Sequence, residues 1–306
     1  MVLVWLSETP AALATAGPDR AEAVAARCLI DWHSHVWLRE HFTTDQASEM
    51  QDKVGALDAP PAAHRRAMAG VDRYVIVGVQ WGAPHGPNVP NDFVAQQVAE
   101  SGGRAVGFAS VNPRQTDAPE EFERAVKDLG LRGLKLSPAY QGFDPRMPEA
   151  WRLYELANRW RAPLMFHAGG AYPASASLET ANPVLLDPVA RAFPDLPIIV
   201  AHLGQPWMAE TVMLMRKNPR VFADLSARYH RPWQLYNGLV LALEYRVEDK
   251  LLFGTDFPVA TPELAIEQFR GLNHMVEGTK LPRIPERVIE GILYERPLAL
   301  VGLDGG

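Results

Sequence analysis

The sequence predicts an α/β fold, a (β/α)8 TIM barrel, and three observations carry the prediction. Short β-branched or apolar runs alternate with longer amphipathic segments from about residue 27 onward, the runs number eight, and ionisable residues close several of them. Such alternation marks βα units and a parallel sheet, and eight units close a barrel. At 306 residues the chain is long for one ordinary core but usual for one barrel. A single domain over 1–306 is therefore expected, with the barrel proper at about 27–280.

In order, the runs are Cys28 to His33, Tyr74 to Val79, Ala105 to Val111, Gly133 to Leu136, Pro163 to His167, Pro197 to His202, Val221 to Leu225, and Leu251 to Asp256. Helical segments are expected at about 61–69, 91–101, 119–129, 147–160, 183–193, 206–217, 234–246 and 262–275. Asn91, Asp117 and Thr261 are placed to cap helices, and Pro119, Pro148 and Pro262 sit near first turns, where a missing N–H costs nothing. Trp151, Leu153, Leu156 and Trp160 recur at helical spacing and predict a face laid on the barrel. Residues 1–26 form an N-terminal extension and 281–306 a C-terminal helix and tail, with Val288 to Tyr294 its helical part. The longest βα connection, residues 36–60, belongs to the face where barrels carry active sites and predicts a lid.

Composition narrows the function. With 47% hydrophobic and 22% charged residues the chain is neither disordered nor fibrous. A net charge of −6 with no dense Lys/Arg stripe argues against nucleic acid as a partner. The single cysteine, Cys28, lies in an apolar run and reads as a buried thiol. No apolar run reaches 18 residues and the N-terminus lacks a basic segment, so a cytoplasmic protein without a membrane partner is expected.

The chemistry gathers at strand ends. His33 and His35 are two apart, so both imidazoles can face the barrel mouth and share one cation of borderline softness. A lone His-x-His is a weak signal. His167, His202 and Asp256 strengthen it, because each also closes an apolar run, at the C-terminal rim where barrel enzymes act and where idle charges would be costly. Any one of these histidines alone could equally be a hydrogen-bonded core residue; five groups at one rim make that reading hard to sustain. His41, His64, His85 and His274 lack such positions and read as surface or loop residues.

Asp31 to His35, Gly133 to Pro138, Met165 to Gly169, Ala201 to Gly204 and Gly254 to Pro258 occur in the order found in the amidohydrolase superfamily. Within it the chain resembles the amidohydrolase 2 group, which includes aminocarboxymuconate-semialdehyde decarboxylase-like proteins, and the resemblance spans residues 28 to about 300. It implies that His33, His35, His167 and Asp256 bind one divalent metal ion, usually Zn2+, with Mn2+, Co2+ or Fe2+ also suited to such ligands. His202 would face the substrate or the nucleophilic water and polarise a carbonyl or act as an acid; Asp256 would also shuttle the proton. Lys135 ends strand four, where binuclear relatives carry a carboxylated lysine; the members this chain looks most like are mononuclear, so Lys135 reads as a substrate-anion contact or ion-pair partner. Asp224 would orient a ligand histidine, or serve as a loop hydrogen-bond acceptor.

Pocket walls are expected from Trp37, Arg39, Trp81, Tyr140, Tyr172, Trp207, Arg228, Tyr229 and His230. Lys135 and, from these walls, Arg228, Tyr229, Trp207 and Trp37 are the expected substrate-binding residues, and Arg228 with Arg231 offers a forked donor set for a carboxylate. The expected activity is metal-dependent hydrolysis of an ester, lactone or amide of a small molecule. Its rival is non-oxidative decarboxylation on the same metal shell; Gln205, where family decarboxylases often carry Glu, tilts the balance toward hydrolysis. A third reading is a non-catalytic barrel that binds a small molecule. Helices with exposed aromatics would suit a homodimer.

Overall fold

A computed structural model of the chain describes residues 27–43, 59–82 and 86–303. Eight parallel strands follow one another around a barrel in chain order: β1 (Ile30–Ser34), β2 (Arg73–Val77), β3 (Ala105–Ser110), β4 (Gly133–Leu136), β5 (Leu164–Phe166), β6 (Ile198–Val200), β7 (Val221–Asp224) and β8 (Leu251–Leu252). Every adjacent pair from β1 to β8 is parallel. The last seam is made by single bonds: Trp32 N to Phe253 O at 2.9 Å, Asp256 N to His33 O at 2.7 Å, and His35 N to Phe257 O at 2.9 Å.

Alternation divides the strand residues between two cores. Ile30, Trp32, Val75, Val77, Val106, Phe108, Met165, Ile199, Phe222 and Leu252 fill the barrel, and Leu298, Val301 and Leu303 from the end of the described chain join them. Their neighbours, such as Leu134, Leu164, Phe166, Ile198, Val200 and Val221, face the surrounding helices. The C-terminal segment beyond Pro297 thus packs with the barrel-filling residues, while the site occupies the other end.

All eight expected strands exist, but β5, β6 and β8 stop short of the site residues His167, His202 and Asp256. β8 covers only Leu251 and Leu252 because the chain then turns, and Asp256 adopts a left-handed backbone at φ 58°. The helices Pro61–Ala67, Asn91–Ala99, Ala118–Lys127, Pro148–Trp160, Met208–Lys217, Pro232–Glu244, Pro262–Arg270 and Glu286–Tyr294 match expected segments. The segment 183–193 divides into a 3-10 turn, Pro183–Leu186, and a helix, Asp187–Ala192, and a short helix at Pro138–Gln141 was not expected.

Of the caps, Thr261 accepts from Leu264 N at 3.4 Å. Asp117 makes no capping bond. Asn91 is inside its helix, and its side chain accepts from Ser110 N at 3.0 Å and donates to Ser110 O at 3.2 Å, tying that helix to the end of β3. On Pro148–Trp160 the buried stripe is Ala150, Leu153, Tyr154 and Ala157 rather than the tryptophans, which flank it; Trp160 instead lies under the Lys127 ammonium at 5.1 Å. Ala150 and Ala157 on the inward stripe let the helix approach its neighbours more closely there than indoles would. Cys28 is half-buried, not buried, since it precedes the strand. Residues 1–26, the 44–58 part of the expected lid, and His85 lie outside the described residues.

Candidate active site

His33, His35, Lys135, His167, His202 and Asp256 converge on one cavity of about 340 Å³ at the C-terminal mouth. His33 Nε2 lies 3.2 Å from His35 Nε2 and 3.4 Å from Asp256 Oδ1, and His35 Nε2 lies 3.1 Å from the same oxygen. His202 Nε2 lies 3.2 Å from His167 Nδ1, and the His33 and His202 rings stack at 5.0 Å. His33, His202 and Asp256 each offer a ligand atom within 4.8 Å of the others.

The outer side of each ring explains the inner side. His33 Nδ1 faces Asp224 Oδ2 at 3.0 Å, His35 Nδ1 faces Val77 O at 2.9 Å, His167 Nε2 faces Gly170 O at 3.2 Å, and His202 Nδ1 faces Ser226 O at 3.2 Å. All four partners are acceptors, so each of those nitrogens carries the proton and donates. The other nitrogen of each ring is then a bare lone pair. These lone pairs face one another and Asp256, an arrangement that repels itself unless a cation or a proton lies among them. Such a donor set, nitrogen with one carboxylate oxygen, fits a divalent metal ion.

Charge states follow from burial. Burial pushes His33 and His202 down, His202 well below the ordinary range, and His167 to about 3. Burial opposes the charge on Asp224 and Asp256; against it, the charge and hydrogen bond of His33 hold Asp224 well below the usual range, and a proton shared among the histidines, His202 and His33 foremost, does the same for Asp256. Lys135 is fully buried, its Nζ 3.3 Å from His33 Nε2, and burial lowers it to about 8. Behind the rings, Asp224 also accepts from His202 N at 3.1 Å, from Ser226 N at 3.0 Å and from the Ser226 hydroxyl. One buried carboxylate therefore positions two of the histidines.

Several expected wall residues stand where the sequence put them. Trp37 stacks on His35 at 5.3 Å, and Trp81 stacks on Tyr140 at 3.9 Å with only 9° between the rings. Tyr172, Arg228, His230 and Arg231 also line the cavity. Three do not. Tyr229 follows Arg228 and points the opposite way, into the helix layer between Phe253 and Phe269, each 5.7 Å away. Trp207 starts the helix Met208–Lys217 and does not reach the cavity, which Pro206 lines instead. Arg39 is exposed on the turn Arg39–His41.

His64 is another correction, being buried rather than on the surface. It holds Ser34 Oγ at 3.0 Å from the first helix, and burial pushes it down to about 4. His274 is exposed as expected, and His41 is half-buried. The sequence reading missed Ser226, Gln141 and the task of Asp31. Ser226 is two residues beyond Asp224, so strand alternation could have found it. Gln141 bridges three loops, donating to Gln80 O and Val111 O at 2.8 Å each and accepting from Ser137 N at 2.8 Å. Asp31 clamps the seam, accepting from Thr255 Oγ1 at 2.6 Å and from His33 N at 3.0 Å, and burial raises its carboxyl to about 7.

Eight parallel strands define a TIM barrel, and the histidine–aspartate cluster at their C-terminal mouth could hold a metal ion. The chain belongs to the amidohydrolase family, whose model it matches over residues 30–303. It is 23% identical over 225 residues to the gamma-resorcylate decarboxylase of Polaromonas sp. (strain JS666), a match covering 58% of this chain and 68% of that one. Among solved structures, an uncharacterised TIM-barrel protein of Bordetella bronchiseptica superposes with a TM-score of 0.70 at 22% identity, over 90% of this chain and 99% of that one. A probable 2-pyrone-4,6-dicarboxylic acid hydrolase of Acinetobacter baumannii does so with a TM-score of 0.61 at 18% identity, over 90% and 99%. A dihydroxybenzoic acid decarboxylase of Polaromonas sp. JS666, with manganese and 2-nitroresorcinol bound, gives 0.63 at 19% identity, over 92% and 98%. No helix among the described residues is long and apolar enough to cross a membrane.

Proposed function

We propose that this chain is a metal-dependent carboxy-lyase that removes carbon dioxide from a small, planar organic acid without oxidation. The carrying observation is the cavity itself: bare imidazole nitrogens, Asp256 and Lys135 at its floor, and the flat Trp81–Tyr140 stack on its wall. Likeness to decarboxylases supports this reaction over hydrolysis, reversing the order that Gln205 suggested. His33, His35, His167 and Asp256 are the proposed ligands of one divalent ion, which when bound would supply positive charge for the substrate's carboxylate and a neighbouring oxygen.

The remaining steps belong to the chain. Lys135 adds a second cation beside the carboxylate, while Trp37, Trp81 and Tyr140 hold the ring and exclude water. Cleavage leaves the bonding electrons on carbon, and a proton must replace the departing carbon dioxide. Asp256 is proposed to take that proton from a substrate hydroxyl or from solvent and hand it to the carbon, since its side chain is the most open of the cluster at 15% exposure. His202, fixed through Ser226, polarises the substrate oxygen nearest it.

Hydrolysis is the second reading, favoured by Asp256 being the one carboxylate among the described residues that line the cavity, and so placed to take a proton from water. The test is to load the protein with zinc or manganese and offer hydroxybenzoates in one arm and lactones and esters in the other. Carbon dioxide release is expected from at least one hydroxybenzoate, falling to background with chelator and returning when the ion is restored. Turnover of lactones or esters with no carbon dioxide from any acid would replace the lyase by the hydrolase; retained metal with no turnover in either arm would leave a binding barrel.

A further inference from the structure

We propose that Arg228 docks a second, non-reacting anionic group of the substrate, and that Gln205 makes this docking available by giving Arg228 a neutral partner. The chain would then select dianionic acids, dicarboxylates foremost. The inference rests on the proposed reaction only for the position of the first carboxylate.

Arg228 follows β7 after Ala227, whose backbone is left-handed at φ 54°, and the turn aims Arg228 back at the cavity. It is 4% exposed. Its Nη1 donates to Gln205 Oε1 at 2.8 Å and to Gln234 Oε1 at 3.3 Å, and the guanidinium also bonds the Tyr172 hydroxyl. Its Nε has no hydrogen-bond partner among the described residues. Every one of these partners is neutral. A guanidinium so deeply enclosed ordinarily meets a carboxylate, because isolated burial of the charge is costly and its fork matches two carboxylate oxygens. Among the described residues Arg228 forms no ion pair.

The position of Gln205 is itself fixed. Its backbone oxygen accepts from Gly170 N at 2.7 Å, so the side chain meets Arg228 from an anchored loop. A glutamate there would neutralise Arg228 internally; glutamine holds the guanidinium in place and leaves its charge for a ligand.

The charge balance of the whole cavity agrees. Lys135, Arg228 and Arg231 line it against one carboxylate, Asp256, although the chain as a whole carries −6. A positive cleft in an acidic protein concentrates small anions. One carboxylate at the imidazole cluster leaves Arg228 unanswered, and a second anionic group on the same flat molecule answers it.

The experiment is a calorimetric titration of benzoate and of the three benzene dicarboxylates into the wild type, Gln205→Glu and Arg228→Met, with the ion loaded and again after chelation. In the wild type at least one dicarboxylate should bind about 10–100-fold tighter than benzoate, the range for one charge-assisted pair. In both variants that ratio should fall below about 3, with benzoate affinity nearly unchanged. Gln205→Glu is nearly isosteric and keeps the test decisive if Arg228→Met does not fold. Equal affinities in the wild type, or a preference that survives Gln205→Glu, overturns the proposal. The chelated arm separates the two ideas: an Arg228-dependent preference unaffected by chelation sinks the metal reading alone, and metal-dependent benzoate binding with no preference sinks this one alone.

Discussion

Four histidine rings owe their role to the atoms behind them. A ring nitrogen that donates to Asp224, Val77 O, Gly170 O or Ser226 O cannot also point its proton at the cavity, so the tautomer is chosen from outside. Asp224→Asn tests this directly. The amide oxygen can keep the bonds from His202 N, Ser226 N and Ser226 Oγ, but the amide nitrogen would then confront His33 Nδ1 donor to donor. His33 must move its proton to Nε2, capping the lone pair that faces the cluster. Metal affinity should fall about 10–100-fold, read by competition with a chromogenic chelator, while the fold persists. At this scale the sequence disclosed the identity of the cluster residues and the position of Asp224. It did not disclose the carbonyl of Gly170, because a peptide oxygen carries no mark in sequence until a ring is laid against it, and Ser226 was marked only by its place two residues beyond Asp224.

Elements position these residues through departures from regularity. β1 fills the barrel with Ile30 and Trp32, and strict alternation would then turn His33 and His35 outward. A register shift between Asp31 and Ser34 resets the parity, so the histidines enter the mouth and Ser34 meets His64 outside it. Gly254 belongs to the same accommodation, since a Cβ there would stand 3.0 Å from His33 Cβ and 3.2 Å from His33 N. Spacing predicted that His33 and His35 share a face; which face was settled by the irregularity. A helix end gives an independent check. Arg161 closes Pro148–Trp160 with φ 52° and is exposed, a conformation costly for any residue with a Cβ. Arg161→Gly should raise stability by about 0.5–1 kcal/mol after glycine's own entropy cost, measured as a higher denaturant midpoint at constant slope. An unchanged or lower midpoint would show that the side chain contributes more than the strain it imposes.

Across the whole molecule, the proposed ligands come from β1, from the end of β5 and from beyond β8, so one bound ion would join segments more than 200 residues apart and span the seam that β8 closes only by single bonds. The unfolded chain has no such site. Free ion at a hundredfold excess over its dissociation constant should therefore add about 2.7 kcal/mol, seen as a thermal midpoint several degrees above that of chelated protein. Coincident midpoints would remove the ion from the centre. The order of eight strands, the helices between them and the rim residues were legible in the sequence, because hydrophobic period and strand-end position are local properties of the chain. The tertiary structure alone decided that His64 is buried, that Tyr229 and Trp207 face away from the cavity, and that Arg228 meets glutamine rather than an acid. Those outcomes depend on which residues from distant loops arrive opposite one another, and packing and charge balance are fixed only when the ring of strands is closed.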